Sequence, residues 1–424
     1  VQNDARPRVL LIAPPGSYRV HAYLDAAHDL GLGMLVASEG EHALIPGFRD
    51  GLRVDFSDPE DVIRRVRRIH RDRPVAAVVA TDDGTVEIAN RVAAALGLAH
   101  NAPSAARIAR RKDLARAALA EAGLPVPKVR RVDWRRPLAP QIAGAEFPCV
   151  VKPLALSASR GVIRADDPPG LEAACRRAGA IARADATAAT RKEERDTLLV
   201  ESFVPGPEIA LEGMLAGGEL TVLAIFDKPD PLDGPFFEET IYVTPSRHPR
   251  AVQALAAERV RAGCAAYGLT EGPVHAELRL HAGDAWIIEI AARTIGGDCA
   301  RLFTFGSGTS LEHLVLQRAL GRAPDIPFRA AGRAAGVLMI PTPCAGTLRR
   351  VEGVMAAGRL PGVREVSVTV REGYALIPLP EGGTYLGFVF ALGADPAGVE
   401  ASLRQAREMI RVVVAPSLAV EVAG

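Results

Sequence analysis

The stretch that most constrains this chain runs from Val274 to Asp298. It reads Val-His-Ala-Glu-Leu-Arg-Leu, a turn at His281-Ala-Gly-Asp284, then Ala-Trp-Ile-Ile-Glu-Ile-Ala-Ala-Arg-Thr-Ile-Gly-Gly-Asp. Two runs rich in apolar and β-branched residues about a Gly-Asp turn predict a β-hairpin. Side chains alternate faces along a strand, so His275, Glu277 and Arg279 share one face, and Glu289, Ala291 and Arg293 share one face of the partner. A register that sets these faces together gathers two carboxylates and an arginine. Carboxylates beside Ile287, Ile288 and Ile290 are costly to desolvate unless a cation neutralises them. Magnesium carrying nucleotide phosphates is the natural candidate, because it binds a few carboxylates and fills its octahedron with phosphate oxygens. Arg293 could then hold a phosphate oxygen. A surface hairpin whose Glu and Arg side chains are simply solvated fits the same residues.

The chain's 424 residues exceed what one hydrophobic core usually supports, so two or three domains are expected. Apolar residues at 48% and charged ones at 24% are an ordinary soluble composition. A formal net charge of +1 gives nucleic acid binding no global electrostatic support. Five cysteines (Cys149, Cys175, Cys264, Cys299 and Cys344) are scattered, with no Cys-x-x-Cys pair, against a disulfide framework or a zinc site. A reducing cytoplasm fits them best. Val1 to Pro7 lack an apolar segment, so no signal peptide is expected. No apolar run approaches the roughly 18 residues of a membrane span.

From the start, Arg8 to Pro14 predicts a buried strand, Pro14 to Ser17 a turn opening a helix near Tyr18, and Met34 to Ser38 and Val75 to Ala80 two more strands. Helices fit around Pro59 to Arg71 and Thr85 to Leu96. Strands alternating with helices imply a small doubly wound parallel-sheet domain ending near residue 103. Arg64 to Arg73 is rich in arginine, but Ile63, Val66 and Ile69 recur at helical spacing. The arginines are then better explained as the solvated face of an amphipathic helix than as an anion patch. The turn at Pro14 lacks a Gly-x-Gly-x-x-Gly pattern, against a dinucleotide site. Thr81-Asp82-Asp83-Gly84 sits where open α/β sheets often bind ligands, and equally suits a helix cap.

Ser104 to Glu121 predicts one helix, with Lys112 inside it, stopped at Gly123. A strand at Phe147 to Lys152 leads into Pro153-Leu-Ala-Leu-Ser157-Ala-Ser159-Arg160-Gly161. A lysine ending a strand before a Ser/Gly loop can neutralise phosphates while hydroxyls and backbone amides wrap the rest, although this is no Walker loop. Thr197 to Glu212 predicts a strand, a Pro-Gly-Pro kink and a second strand. That would present the backbone of Phe203 and Val204 to an adenine edge and place Glu208 for ribose hydroxyls, unless it is a plain β-turn.

Taken in order, Lys112, Lys152 with its Ser/Gly loop, Glu201-x-x-Val204-x-Gly206-x-Glu208, then Glu277, Glu289 and Arg293 resemble the ATP-grasp superfamily of carboxylate–amine ligases. The L-amino-acid ligase, or dipeptide-synthesising, branch is the most similar, with biotin carboxylase and glycinamide ribonucleotide synthetase as more distant relatives. The resemblance spans roughly the whole chain and is most specific between Lys152 and Arg293. It implies an α/β fold, in part α+β: an N-terminal doubly wound domain over 1–103, an ATP-grasp domain over 104–329 with a mobile lid at about 147–205, and a β-rich C-terminal cap over 330–424. It further implies that Lys112 and Lys152 touch nucleotide phosphates, and that the loop with Ser157, Ser159 and Gly161 closes over the triphosphate. Glu201, Phe203 and Val204 would meet adenine and Glu208 the ribose. Glu277 and Glu289 would bridge magnesium, for which manganese could substitute, and Arg293 would steady the transferred phosphoryl group. The implied reaction activates a carboxylate with ATP as an acyl-phosphate, then lets an amine displace phosphate.

The family's usual Glu-x-Asn-x-Arg is Glu289-Ile-Ala291-Ala-Arg293 here, and an alanine offers a metal no oxygen, which puts a second magnesium in doubt. In the charged loop between Ala224 and Ser246, Lys228 could reach the γ-phosphate and Glu239 could bind a substrate amine. His275 faces as Glu277 does and either orients substrate or satisfies the hairpin. Gly296 and Gly297 would let substrate approach the backbone closely. Beyond Ala330, strands are expected at Gly336 to Pro341, Gly346 to Arg350, Val366 to Val370 and Tyr385 to Leu392, then a helix over Pro396 to Val412. Small-molecule carboxylate and amine substrates, no nucleic acid, no membrane and a homodimer like those of relatives complete the expectation. Biotin carboxylase-like or ribonucleotide-synthetase-like chemistry and a non-catalytic nucleotide-binding protein are the alternatives.

Overall fold

The computed structural model describes residues 6–39, 51–185, 191–323 and 333–416. The first strands and helices are β1 (Arg8–Ile12), α1 (Val20–Asp29), β2 (Gly33–Ser38), β3 (Gly51–Arg53), α2 (Pro59–Asp72), β4 (Ala77–Ala80) and α3 (Asp83–Ala95). The strands form a parallel sheet ordered β3-β2-β1-β4. Val9 and Leu11 face one core, Leu10 and Ile12 another, which is why β1 reads as an unbroken apolar run. The short β3 was not expected; Gly-Leu-Arg carries no strand signal of its own. Val62 and Val66 are the buried residues of α2, so its arginines lie on the outer side, as expected. Asp82 is the N-cap of α3, and Thr85 Oγ1 accepts its backbone N–H at 3.3 Å.

The single helix expected over Ser104 to Glu121 is two, α4 (Pro103–Arg110) and α5 (Lys112–Glu121). They break at Arg111, which is extended at φ −97° and ψ 106°. The buried Arg111 guanidinium is forked onto Asp113 at 2.9 and 2.8 Å, and the Lys112 N–H is spent on the Leu154 carbonyl at 2.9 Å. The break therefore places Lys112 at the start of a helix facing the Ser/Gly loop.

Next come β5 (Val129–Asp133), α6 (Ala139–Ile142), β6 (Cys149–Pro153), β7 (Ile163–Ala165), α7 (Pro168–Ala184), α8 (Lys192–Asp196) and β8 (Thr197–Ser202). They form a small antiparallel sheet ordered β5-β8-β6-β7. Leu171, Ala174, Cys175 and Ala178 of α7 pack on Val151, Leu198 and Val200 in a core of their own. This unit takes its edge strand β5 from well before residue 147, where the lid was expected to begin.

The large sheet is built from β9 (Glu208–Ala216), β10 (Glu219–Lys228), β11 (Ile241–Thr244), β12 (Gly272–His281) and β13 (Asp284–Ala291), with α9 (Arg250–Tyr267) on one face. α10 (Arg301–Ser307) and α11 (Leu311–Ala319) lie with the N-terminal sheet against its other face. The rest is β14 (Ala334–Ile340), β15 (Gly346–Glu352), α12 (Val354–Ala357), β16 (Val363–Val368), β17 (Ala375–Leu376), β18 (Gly387–Gly393), α13 (Pro396–Met409) and β19 (Arg411–Ala415). Three of these strands continue the large sheet, whose order is β13-β12-β9-β10-β11-β14-β18-β16; only β17-β15-β19 stand apart. The β-rich C-terminal region extends the central sheet by pairing β14 with β11. The expected boundary at 329/330 and the first residues, 1–5, lie outside the described residues. No helix among the described residues is long and apolar enough to cross a membrane.

Candidate active site

The hairpin expected at Val274 to Asp298 is β12 and β13, turning at Ala282 and Gly283, which both have positive φ. Its register sets Glu277 opposite Glu289 and His275 opposite Ala291. A shift between Glu277 and Leu278 leaves Ile288 as the extra residue of a bulge. On the other side of β12, Arg279 lies opposite Glu208 and His275 opposite Glu212 of β9; Lys228 of β10 lies opposite Glu208. One face of four strands therefore carries a polar stripe. The alternate residues Ile209, Leu211, Ala276, Leu278 and Ile287 face α9 and stay apolar.

Lys228 fills the centre of that stripe. Its Nζ lies 2.7 Å from Glu208, in contact with Glu239 and 3.4 Å from Glu277, and 5.1 Å from the Tyr242 ring centre. Burial would push the ammonium's pKa down, but the three carboxylates hold it well above the ordinary lysine value. Burial pushes Glu239 up despite Lys228, and its oxygen also accepts the Tyr242 hydroxyl at 2.6 Å. Glu277 goes the other way: burial is outweighed by Lys228 and His275, and its carboxyl lies well below the usual range. His275 donates through Nδ1 to the fully buried Glu212 at 3.0 Å, and its Nε2 lies 3.6 Å from Glu277. Burial disfavours the imidazolium, yet the two carboxylates raise its pKa to about 9. Glu212 also accepts the Ile295 N–H at 3.1 Å, fixing the chain just before Gly296.

A second cluster joins α5, β6 and β8. Glu201 accepts from Arg116 Nε at 2.8 Å and from Lys152 Nζ at 2.7 Å. Burial alone would raise this carboxyl, but Arg116 and Lys152 bring it down to about 2. Arg116 also donates to the carbonyls of Ile287 at 3.1 Å and of the bulged Ile288 at 2.8 Å, so the bulge is tied to the lysine that ends β6. Lys112 Nζ donates to the Leu156 carbonyl at 2.8 Å and lies 3.6 Å from Glu289.

Arg293 meets the N-terminal unit. Its Nε donates to Asp83 at 3.0 Å and its NH1 to the Thr294 carbonyl at 2.9 Å. Burial opposes its charge, but Asp83 and then Glu289 raise its pKa, and the same contact lowers that of Asp83. Arg19, before α1, donates to Thr294 Oγ1 and, at 2.7 Å, to the Ile295 carbonyl. The sheet ends at Ser17 and Thr81 to Gly84 thus abut the segment after β13, where an α/β sheet is expected to present a ligand.

Two loops frame the stripe. In the Ser/Gly loop, Ser157 is exposed, Ala158 and Ser159 hold positive φ of 55° and 54°, and Gly161 has φ +70°. A Cβ on Gly161 would lie 2.6 Å from Pro153, so only glycine fits. The Gly161 N–H donates to the Pro380 carbonyl at 2.9 Å, and Arg177 of α7 forks onto Glu381 at 2.6 and 2.9 Å, so the C-terminal segment holds this loop in place. In the hinge, Phe203 N–H donates to Pro148 O at 2.9 Å and Val204 O accepts from Arg279 at 3.0 Å. Gly206, at φ +109°, passes so close to Leu280 that a Cβ would lie 2.2 Å from its carbonyl oxygen.

The known proteins that this chain resembles bear directly on this arrangement. The ATP-grasp domain family matches residues 145–301, the ATP-grasp N-terminal domain residues 24–100, and the L-amino acid ligase C-terminal domain 2 residues 338–415. The chain belongs to the ATP-grasp superfamily. The L-amino acid ligase of Bacillus licheniformis superposes with a TM-score of 0.79 at 26% identity, over 97% of this chain and 99% of that one. An uncharacterized Sinorhizobium fredii protein is 26% identical over 374 residues, 86% of this chain and 73% of its own. The alanine–anticapsin ligase of Bacillus subtilis is 25% identical over 288 residues, 64% of this chain and 60% of its own length.

Within this ATP-grasp frame, Lys112, Lys152, Lys228, Glu208, Glu239, His275, Glu277, Glu289 and Arg293 all fall in or beside the stripe. Two expectations change. The Glu201 carboxylate is spent on Arg116 and Lys152, so its side chain does not point to an adenine. Glu208, expected to bind ribose, is buried and held by Lys228 and Arg279, at 2.7 and 3.0 Å. Gly297 turns at φ +60° against Phe388, whereas space beside Gly296 is open. Arg116, Glu212 and Tyr242 were missed, and Asp83 was read only as part of a turn that could bind a ligand or cap a helix. Arg116 alone left a signal: it follows Lys112 by one helical turn in an Ala-rich helix, on the same side.

Proposed function

We propose that this ATP-grasp protein is an ATP-dependent carboxylate–amine ligase that makes an amide or peptide bond. A carboxylate oxygen attacks the γ-phosphorus and ADP leaves; an amine nitrogen then bonds to the acyl carbon, phosphate departs, and the amine gives up its proton. What carries this reading is the convergence of Lys112, Lys152, Lys228 and Arg293 about the paired Glu277 and Glu289, under a Ser/Gly loop. The match to the L-amino acid ligase C-terminal domain and the likeness to the Bacillus licheniformis L-amino acid ligase support it over a carboxylase reading.

Glu277 and Glu289 offer hard oxygens from directly opposed strand positions, which suits magnesium, while Ala291, 2% exposed, offers none. Magnesium bound there would neutralise phosphate oxygens and act as Lewis acid. Phosphoryl transfer leaves little covalent work to the protein, so fixed cations do most of it. Lys152 is fixed by Glu201, Lys228 by its carboxylates and Arg293 by Asp83 and Thr294, so each needs little reorganisation on binding. Arg293, held on Asp83 through Nε and NH2 and on the Thr294 carbonyl through NH1, steadies the phosphoryl group and the acyl-phosphate with its fixed charge. The latched Ser157–Gly161 loop keeps water from the acyl-phosphate. Ala291 is also the specific observation that favours a second reading, a nucleotide-binding protein without turnover.

Phosphate release from MgATP, measured against amino acids singly and in pairs, tests the proposal. Release that requires one pair, with a product one water lighter than their sum, is expected. Tight MgATP binding with no release for any acid and amine would overturn it in favour of the second reading.

A further inference from the structure

The Ser/Gly loop and the C-terminal segment that latches it do not meet flush. Between them lies a groove of about 300 Å³, walled by Ala158 and Arg160 on one side and by Tyr374, Leu376, Ile377 and Gly383 on the other. Tyr374 and Ile377 are 53% and 55% exposed, although both are large and apolar. The groove narrows to a recess bounded by Leu379, Tyr385 and Glu238, which shares Ala158 and Ile377 with it. Ala158 belongs to the loop over the expected triphosphate, and Glu238 precedes Glu239 in the Lys228 cluster. Tyr385, which lines the recess, lies within electrostatic reach of both Glu238 and Glu239, so the inner end of the groove borders the Lys228 cluster.

Glu238 differs from the other acids of the site. Glu201, Glu208, Glu212, Glu239, Glu277, Glu289 and Asp83 each have a cationic partner. Glu238 has no hydrogen-bond or ion-pair partner among the described residues. Burial raises its carboxyl's pKa and distant Arg407 offsets this only in part, as for a carboxylate short of a cation. The groove's own cation is committed elsewhere: Arg160 is held by Asp185 at 2.6 Å and by the Glu381 carbonyl at 3.3 Å. Tyr374, Leu376 and Ile377 give one wall an apolar face beside the polar Ser157, Thr342 and Thr384, and with an unpaired carboxylate at the inner end the groove selects a cationic head on a body with an apolar side. A volume near 300 Å³ suits a small molecule.

We infer that this groove receives the amine substrate, a primary amine on an apolar side chain, and that Glu238 is a specificity residue that takes its ammonium group. This rests on the ligase reading above.

The test compares two acceptors on the full-length chain, with MgATP and the activating acid constant. One is an apolar amino acid; the other is hydroxylamine, which traps acyl-phosphate as a hydroxamate and is too small and too weakly basic to need the groove. Glu238→Gln, which preserves shape, should raise KM for the apolar amine about tenfold or more, the loss of one charge-assisted hydrogen bond, against less than about twofold for hydroxylamine and MgATP. Ile377→Asp should shift acceptor preference from apolar towards basic amines. Equal changes for both acceptors, or unchanged amine KM in both variants, would overturn the assignment of the groove while leaving the ligase reading standing. No hydroxamate from the unaltered protein with any acid would overturn the ligase reading and this inference with it.

Discussion

Changing Glu201 to glutamine removes one charge and leaves two buried cations without their counter-ion. Glu201 is 3% exposed, with Arg116 at 2.8 Å and Lys152 at 2.7 Å. Arg116 has the carbonyls of Ile287 and Ile288 as further acceptors, but they do not replace a charge. Moving the carboxyl from its ordinary 4.5 to about 2, at about 1.36 kcal/mol per pH unit, corresponds to about 3 kcal/mol. Breaking a buried pair by removing one partner costs ~3–5 kcal/mol, which agrees in scale. Because the folded pKa lies below the unfolded one, the contribution is complete above about pH 4.5 and is lost as pH falls through about 2. Urea unfolding read by the fluorescence of Trp134 and Trp286, one in each neighbouring unit, should show Glu201→Gln less stable by about 3 kcal/mol at pH 7. The gap should close as pH drops below 4.5. A gap under ~1 kcal/mol at pH 7, or one that ignores pH across that window, would show that Arg116 and Lys152 do not depend on Glu201 for their charge.

His275 reverses the sign. Its folded pKa of about 9 lies above the ordinary 6.5, so its contribution, about 3 kcal/mol at 1.36 kcal/mol per pH unit, is complete below pH 6.5 and is lost as pH rises through 9. Urea titrations of His275→Asn should lack that alkaline loss. Gly206→Ala forces a Cβ to 2.2 Å from the Leu280 carbonyl at a φ of +109°, and should cost upwards of about 2 kcal/mol in the same assay. Arg293→Lys keeps the charge but cannot hold Asp83 and a phosphate oxygen with a planar fork; substrate-dependent phosphate release should fall about 10²-fold.

What the amino-acid sequence made legible was whatever lies within one segment. The hairpin, its turn and the shared face of His275, Glu277 and Arg279 follow from polar residues at alternate positions of an apolar run, because a slip of one residue would bury the wrong set; the opposition of Glu277 to Glu289 follows only once Ile288 bulges. The amphipathic α2 and the cap at Asp82 are equally local. The bulge at Ile288 was not legible, since one isoleucine more in an isoleucine run changes no pattern. Nor was the continuation of the large sheet into β14, β18 and β16, because a strand's own residues do not name its neighbour. The same limit explains the site. Arg116, Glu201, Asp83 and Arg293 each sit in an ordinary local context, and none would be buried alone at tolerable cost. Arg116 and Glu201 are buried, and Asp83 and Arg293 half-buried, because each finds its counter-ion on another segment: α5 on β8, and α3 on the strand end after β13. A charge whose burial is possible only in company can be recognised only once the company is known. For the same reason the order of motifs did not show that the Glu201 side chain is taken by Arg116 and Lys152: order along the chain fixes which residues arrive at a site, whereas pairing across segments decides which of their atoms remain free to act there.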